Sequence, residues 1–262
     1  KYDRYKKCYM WVLVNKAERV VIFFYEDGSR GRDVLTNFLG DAELKALMSD
    51  GYNAYVFIGD ELKTHRYKDT DHQVYLAHVR AKFVKARMEG GDKRADVFLD
   101  NINRLFRFER EYDREMITDG ERTRRRQGLP TMEAMINLRA NLLQELKSEE
   151  EQKSCYMREA LNYLHKFWNE AFTYIKDGRY PISNNLAERA VRPFTTKRKN
   201  SLHFGSDEGA EIAAVYHSII STVKLQGRSA WDYLGKFFTG IFNGCRDFLS
   251  LTPQNIDLAV CQ

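Results

Sequence analysis

The sequence predicts a mixed α/β protein in which a strand-rich beginning is followed by a long helical stretch. Residues 8–25 contain two short runs rich in β-branched and aromatic residues, CYMWVLV and RVVIFFY. Residues 92–177 contain one proline and two glycines, which favours long helices. Because 43% of the 262 residues are hydrophobic, the chain can bury a core and form one or two globular domains.

The first predicted element is a β-hairpin whose strands are the two apolar runs, joined by the polar segment NKAE. Because both runs are apolar almost throughout, we expect both strands to be largely buried. After the turn EDGSRG, apolar residues at helical spacing predict a helix that ends before Gly40. These apolar residues are Val34, Leu35, Phe38 and Leu39.

Two further strands are expected before residue 90. A short apolar run lies directly before Asp50 and Gly51, which places Asp50 at the carboxyl end of a strand. A brief strand at Gln73–Leu76 is expected to turn into a helix that stops at Gly90. The first ninety residues are therefore predicted to be mixed α/β.

Apolar stripes at helical spacing dominate the following residues, and we interpret them as helix-packing surfaces. The basic, glycine-flanked segment GERTRRRQGLP is expected to be a solvated connecting loop, with nucleic-acid contact as the alternative. A later amphipathic helix is expected to begin after a Ser206 cap and to pack beneath the sheet. The stripes are Leu138, Leu142 and Leu146; Leu161, Leu164, Trp168, Phe172 and Ile175; and, on the later helix, Ile212, Val215, Ile219 and Val223.

Charge and cysteine content narrow the function classes. The formal net charge is +5, and residues 179–200 hold six basic residues against one acid, Glu188. A local positive field of this kind suits a polyanion, although a solvated basic face has the same composition. The four cysteines are far apart and form no CxxC pair, so the sequence indicates neither a zinc ribbon nor a disulfide scaffold and favours a reducing compartment. No apolar run is long enough to cross a bilayer, so we expect no membrane partner.

Glu188 lies on a short predicted helix that Asn184 or Asn185 caps and that Pro193 ends. With Asn185 as the cap, Glu188 stands three residues later and has the spacing of a capping box. Arg189 and Arg192 at helical spacing are compatible with a plain surface stripe. These local patterns alone therefore leave both a structural and a functional role open.

A longer pattern resembles the insertion sequence 66 family of bacterial transposases. That family carries a motif close to NNxAERAxRP followed by RKNxLFxGS, together with the upstream segments TDGYxAY and WAHxRRKF. Here the corresponding segments read SDGYNAY at 49–55, LAHVRAKF at 76–83, NNLAERAVRP at 184–193 and RKNSLHFGS at 198–206. The resemblance spans almost the whole chain and keeps the order of the motifs.

The resemblance implies a ribonuclease-H-like fold (the DDE transposase and integrase type) in which three carboxylates converge on divalent metal. Asp50 matches the second carboxylate and Glu188 the third. The implied cofactor is Mg²⁺ or Mn²⁺, with two ions in the complete site, because hard cations prefer carboxylate oxygen. The implied layout is a first part of the core at 1–90, a helical insertion at 91–177, and at 178–262 the remaining core with the Glu188 helix and C-terminal helices.

The resemblance also implies partners and contact residues. The implied activity is metal-dependent cleavage and strand transfer at transposon ends, by a homo-oligomer assembled on transposon and target DNA in the bacterial cytoplasm at the nucleoid. Expected DNA contacts are made by basic and amide side chains near Glu188, and by an aromatic residue and a histidine near Asp50. These residues are Asn184, Asn185, Arg189, Arg192, Lys197, Arg198, Lys199, Asn200, Tyr52 and His78. For the aromatic residue a place in the core is the alternative, and for the histidine a structural role.

One departure from the family pattern bears on activity. The first family aspartate belongs to an Asp-Glu-Thr motif upstream of the hairpin, and this motif does not occur in these 262 residues. Asp3 is better interpreted as a turn residue, and the start KYDRYKKCYMW resembles no signal peptide. We therefore expect a fragment that is inactive alone. Two alternatives remain: a metal-dependent nuclease of the same fold without strand transfer, and a non-catalytic DNA-binding relic.

Overall fold

The computed structural model describes residues 7–148, 153–201, 204 and 206–257, with the backbone alone described at 197–201. Contacts group residues 1–40 and 185–262 into one compact unit, the outer unit, and residues 41–184 into another, the central unit. This grouping by contacts does not test the three-part layout of the core (1–90, 91–177 and 178–262) that the family resemblance implies. It stays a prediction.

The hairpin that the sequence predicts is confirmed in the outer unit. Strands β1 (Tyr9–Asn15) and β2 (Val20–Glu26) pair antiparallel, with Tyr9 opposite Glu26 and Asn15 opposite Val20. The expectation that both strands are largely buried was wrong. Their buried residues are Trp11, Val21 and Phe23. Side chains alternate between the two faces of a strand: Val21 and Phe23 lie on one face, and Trp11, opposite Phe24, lies on the other. Neither face is covered along its whole length.

Helix α1 (Arg32–Leu39) follows, as predicted, and buries Leu35 and Leu39. Gly40 directly after it has a φ of 52°, which a glycine adopts without strain. The Phe38 ring stacks on Phe24 of β2, with a centroid distance of 4.2 Å. This stacking holds α1 against the hairpin.

Helix α9 (Asp207–Leu225) completes the backbone hydrogen bonding of β2 with side-chain hydroxyls. Thr222 Oγ1 accepts the Val21 N–H and donates to the Val21 carbonyl, both at 3.0 Å. Ser218 Oγ accepts the Phe23 N–H at 2.8 Å. Four residues along a helix rise about 6.0 Å, and two residues along a strand rise about 6.6 Å. The spacing of Ser218 and Thr222 on α9 therefore matches the spacing of Phe23 and Val21 on β2.

The predicted cap of α9 is confirmed, since Ser206 Oγ accepts the Gly209 N–H at 3.0 Å. The predicted apolar face was wrong in part, because Ile212 is 61% and Val215 59% exposed. Small residues face β2 instead, because bulky side chains would hold the helix too far away for the hydroxyl bonds. The buried residues of α9 are Ala210, Ala213, Ala214, Thr222 and Val223.

Helix α8 (Asn185–Ser201) runs through Pro193, so the expectation that Pro193 ends this helix was wrong. Proline removes one helical hydrogen bond and is usually costly in a helix interior. Here the next residue, Phe194, is buried against Phe23 of β2, with ring centroids 5.6 Å apart. This packing offsets the lost bond. Helix α10 (Ala230–Phe242) packs on the end of α9.

The central unit begins with two parallel strands. Strand β3 (Ala46–Ser49) pairs with β4 (Asp71–Val74), with Ala46 opposite Asp71 and Ser49 opposite Val74. The second strand therefore starts two residues earlier than the sequence pattern suggested. Helix α2 (Leu76–Met88) follows β4 directly and ends close to the predicted stop. The carboxyl end of β3 and the amino end of α2 consequently lie at the same edge.

Helices form the rest of the central unit and enclose its core, in which Leu138 and Leu142 are fully buried, as their spacing predicts. The stripe predicted from Leu161 to Ile175 is interrupted at Phe167, where one helix ends and another begins. None of the helices within the described ranges is long and apolar enough to cross a membrane. The helices are α3 (Ala95–Glu115), α4 (Asp119–Arg126), α5 (Leu129–Lys147), α6 (Cys155–Lys166), α7 (Trp168–Phe172) and a 3₁₀ turn (Thr173–Lys176).

The segment GERTRRRQGLP, expected to be a solvated loop, forms most of α4, so that expectation was wrong. Arg126 is 1% exposed, and its guanidinium binds both carboxylate oxygens of Glu109 at 2.7 and 2.8 Å. Arg126 also donates to the backbone carbonyls of Tyr174 and Asp177. The segment folds into the unit because a carboxylate on α3 neutralises its central charge, and buried charges need such partners.

We expect Thr222→Val to lower the free energy of unfolding by about 1–3 kcal/mol, because it leaves the Val21 N–H and carbonyl without hydrogen-bond partners. Urea unfolding followed by circular dichroism measures the change. Thr222→Ser, which keeps the hydroxyl, is the matched control. Equal stability of the two variants would contradict the role assigned to the hydroxyl.

Candidate functional site

Asp50 lies directly after β3, at the carboxyl end of the strand, as the sequence predicts. Its carboxylate Oδ1 accepts the backbone N–H of Tyr52 at 3.0 Å. Its backbone carbonyl accepts a hydrogen bond from the Tyr163 hydroxyl of α6 at 2.7 Å. The Asp50 carboxylate is therefore oriented by its own turn, and the Asp50 backbone is held by a helix 113 positions later.

Gly51 allows this turn to pack closely against α6. Its φ is 75°, in the region that glycine adopts readily and other residues adopt at a cost. A Cβ at this position would stand 2.8 Å from the Tyr163 hydroxyl and 3.0 Å from the Phe167 ring. Both the backbone conformation and the available space thus require glycine directly after Asp50.

A buried serine–histidine pair holds the turn that follows β3. Ser49 Oγ lies 2.9 Å from His72 Nε2 and accepts the Gly51 N–H at 3.2 Å. Burial lowers the pKa of His72 to about 4, because the charged imidazolium would lose its hydration there. At neutral pH His72 is therefore an uncharged hydrogen-bonding partner and adds no positive charge beside Asp50.

His78, in the first turn of α2, lies at the same edge as Asp50, and Tyr163 connects the two. The His78 and Tyr163 rings are 5.5 Å apart, and Lys82 Nζ lies 4.8 Å from the Tyr163 ring centroid. Burial raises the pKa of Tyr163, so its hydroxyl remains a donor to Asp50 at neutral pH. Tyr52 is 37% exposed at this edge, in edge contact with the Tyr55 ring at 5.9 Å.

Sequence reasoning missed three residues that build this site: Ser49, His72 and Tyr163. Ser49 lies beside the predicted carboxylate, but its role depends on a histidine of the neighbouring strand. Tyr163 lies inside a helix with an ordinary apolar stripe. No local pattern distinguishes these residues, because their roles arise only when β3, β4 and α6 meet.

Glu188 lies in the first turn of α8, where its negative charge interacts favourably with the helix dipole. Its side chain is exposed. Within the described part of the chain, no hydrogen bond connects Glu188 to Asn185, so the capping-box alternative is not observed there. Asn184 immediately precedes the helix, and Asn185 is its first residue. The Glu188 carboxylate is therefore available to solvent and to a ligand.

Arg189 and Arg192 follow Glu188 on α8, and both side chains are exposed. Neither forms an ion pair with a carboxylate in the ranges that the structure describes. Their positive charges are consequently uncompensated within those ranges. The other predicted contact residues of this helix have side chains outside the described residues, namely Lys197, Arg198, Lys199 and Asn200.

Asp50 belongs to the central unit and Glu188 to the outer unit, so their predicted convergence stays a prediction. Among the described residues, a different cluster of potential metal ligands lies at Cys8, Asp27 and Asp207, whose ligand atoms are all within 4.8 Å of one another. A thiol is a poor ligand for Mg²⁺, so this exposed cluster does not fit the predicted ion. The oxygen donors of Asp50 and Glu188 fit it by chemistry.

Comparison with known proteins identifies the class of protein to which these features belong. The signature of the family described as "Transposase IS66 family" matches residues 2–212, which include both Asp50 and Glu188. The chain therefore belongs to the IS66 transposase family, which confirms the resemblance stated above. The search of solved structures gave no significant match.

Three curated relatives come from Sinorhizobium fredii (strain NBRC 101917 / NGR234). "Uncharacterized protein y4jD" is 27% identical over 92% of this chain and 47% of its own length, and "Uncharacterized protein y4qI" is 27% identical over 90% and 43%. "Uncharacterized protein y4hP" is 38% identical over 28% of this chain and 13% of its own length. The chain thus spans about half the length of the first two relatives.

We expect Gly51→Ala to destabilise the chain by about 2–4 kcal/mol, because it combines an unfavourable φ with overlap against Tyr163 and Phe167. Gly91→Ala is the matched control, since Gly91 has a φ of 63° and no atom within 4 Å of an added Cβ. The control measures the cost of the unfavourable φ alone, about 1–2 kcal/mol. Thermal unfolding compares the two; equal losses would contradict the close packing of the turn on α6.

Proposed function

We propose that this chain is part of the catalytic region of a DNA transposase of the DDE type with a ribonuclease-H-like core. The observation that carries the proposal is family membership over a span that contains both Asp50 and Glu188. The substrate class is DNA: transposon ends that are cut and a target that receives the freed 3′ ends. A homo-oligomer assembled on DNA belongs to the same proposal, as do the three-part layout of the core and its cytoplasmic location.

Asp50 and Glu188 are the proposed metal ligands. Divalent ions held there would activate the attacking oxygen and stabilise the leaving one. Asp50 suits this role because Ser49, Gly51 and Tyr163 fix its turn, and a rigidly held ligand needs little reordering when it binds. Glu188 suits it because its carboxylate is exposed and is not used as a helix cap in the described residues.

Arg189 and Arg192 are proposed to hold DNA phosphates beside the Glu188 carboxylate. Exposed arginines without carboxylate partners in the described ranges can exchange bound counterions for phosphate. Arginines next to Glu188 would serve this role, because their positive charges bring the substrate phosphate close to a carboxylate that would otherwise repel it. The proposal extends to the other residues predicted from the sequence, which are Asn184, Asn185, Lys197, Arg198, Lys199, Asn200, Tyr52 and His78.

We predict that Asp50→Ala and Glu188→Ala each weaken Mn²⁺ binding by about tenfold or more, because each removes a carboxylate ligand. The double variant should lose little more than either single variant, because both residues serve one site. Titration of Mn²⁺ with the free-ion electron paramagnetic resonance signal measures the affinity.

Glu208→Ala is the matched control for this prediction, because Glu208 is also an exposed acid in the first turn of a helix. It should leave Mn²⁺ binding unchanged. Full affinity in Glu188→Ala would show that Glu188 is not a ligand. Because the first aspartate of the motif is not in these residues, Mg²⁺-dependent DNA cleavage that Asp50→Ala abolishes would contradict the assigned triad.

We predict that Arg189→Ala with Arg192→Ala weakens binding to a duplex and flattens the plot of log affinity against log salt by about 2, since each lost phosphate contact contributes about 0.9. Arg198→Ala with Lys199→Ala should act in the same direction. Fluorescence anisotropy of a labelled duplex at several KCl concentrations measures both quantities. An unchanged slope in both double variants would refute the α8 assignment.

A further inference from the structure

The outer face of α3 in the central unit carries a second basic surface, which sequence reasoning did not identify. A shallow depression of ≈ 530 Å³ lies there. We call it the α3 basic face. It is lined by Asp100, Asn101, Asn103, Arg104, Arg107 and Arg110.

Helix periodicity explains why these side chains point outward together. Phe98, Ile102 and Leu105 face the core and are at most 1% exposed. Residues 107 and 110 lie on the opposite side of the helix, because each residue advances the helix by about 100°. Both arginines are exposed, three positions apart, and therefore present their guanidinium groups on one surface.

The charge balance of this face favours an anion. Arg104 is neutralised by Glu133 of α5 at 2.8 Å. The acids of α3 closest in sequence to Arg107 and Arg110 are Asp100, Glu109, Glu111 and Asp113, and two of these, Glu109 and Asp113, bind Arg122. Arg107 and Arg110 form no ion pair with any carboxylate in the described ranges. The pairing is different on α4 of the same unit. There the arginines bind carboxylates, namely Arg122 to Glu109 and Asp113, Arg124 to Glu121, Arg125 to Glu115 and Glu121, and Arg126 to Glu109.

Arg80 connects this face to the edge that holds Asp50. It lies on α2, two residues after His78, and its Nε donates to Asn103 Oδ1 at 2.7 Å. Because the partner is a neutral amide, the guanidinium retains its full positive charge. Arg80 therefore adds a positive charge beside Asn103, at the border of the α3 basic face.

We propose that the α3 basic face binds the phosphodiester backbone of the same DNA duplex whose cleavage site lies at Asp50. From Asn103 to Arg110 the helix rises about 10 Å, a length over which one DNA strand presents about three phosphates. Guanidinium and amide groups are the donors that bind phosphate oxygens without reading sequence. The inference rests on the proposed function for its partner and adds a second, sequence-independent contact surface, which belongs to the central unit.

The test compares the chain with Arg107→Ala/Arg110→Ala in duplex binding by fluorescence anisotropy, over a series of KCl concentrations. The slope of log affinity against log salt should become shallower by about 2. Arg107→Lys/Arg110→Lys keeps both charges and should restore most of the slope. These residues are exposed, and circular dichroism should report an unchanged fold in both variants.

The matched control is Arg124→Ala/Arg179→Ala, which removes two exposed arginines of the same unit that already bind Glu121 and Asp177. Its slope should stay at the value of the unmodified chain. An equal loss in the control would assign the effect to net charge and overturn the proposal, as would an unchanged slope in Arg107→Ala/Arg110→Ala. If the slope is unchanged in Arg107→Ala/Arg110→Ala but becomes shallower in Arg189→Ala/Arg192→Ala, this inference fails and the proposed function stands.

Discussion

The parallel pairing of β3 with β4 is the constraint on which the candidate site depends. Parallel strands end at a common edge, so the residues after β3 meet those that open α2. Asp50 consequently lies beside a buried Ser49–His72 pair and under the Tyr163 hydroxyl, and His78 lies at the same edge. A strand of four residues has few ladder bonds of its own, and these side-chain contacts supply the rigidity that it lacks.

A related requirement shapes the outer unit, where β2 has backbone groups that β1 does not pair. Ser218 and Thr222 of α9 satisfy them with hydroxyls one helical turn apart. Their short side chains bring the helix close, which explains why alanines rather than Ile212 and Val215 face the strand. In the outer unit, therefore, the backbone hydrogen bonds of β2 determine which residues of α9 are buried.

The arginines of this chain differ in whether the structure gives them carboxylate partners. Arg126 is buried and bound to Glu109, and its neighbours on α4 are likewise neutralised, so this conspicuous basic run of the sequence serves folding. Arg189, Arg192, Arg107 and Arg110 are exposed and form no ion pair with a carboxylate in the ranges that the structure describes, so they give their surfaces a positive field. Local charge density alone does not make this distinction, because it does not show where the carboxylates of other helices lie.

The sequence by itself determined the local elements and the family. Two short runs of β-branched and aromatic residues defined the hairpin, and the residues around Asp50 and Glu188 carried the family pattern. It placed Asp50 correctly at a strand end, because an apolar run followed by Asp-Gly is a local signal. The predictions of a loop at α4 and of a helix end at Pro193 were wrong for the same reason. The charge of Arg126 and the break at Pro193 are offset by Glu109 and Phe23, which lie far away in the chain.

Only the tertiary structure decided which side chains surround Asp50 and which face of each helix is buried. Tyr163 reaches Asp50 across 113 positions, and Ser49 gains its role from His72 on the adjacent strand. The exposed charge of Arg107 and Arg110 likewise depends on which acids the neighbouring helices present. The physical reason is that hydrogen bonding, burial and charge pairing act between groups close in space, whereas sequence patterns record only neighbours along the chain.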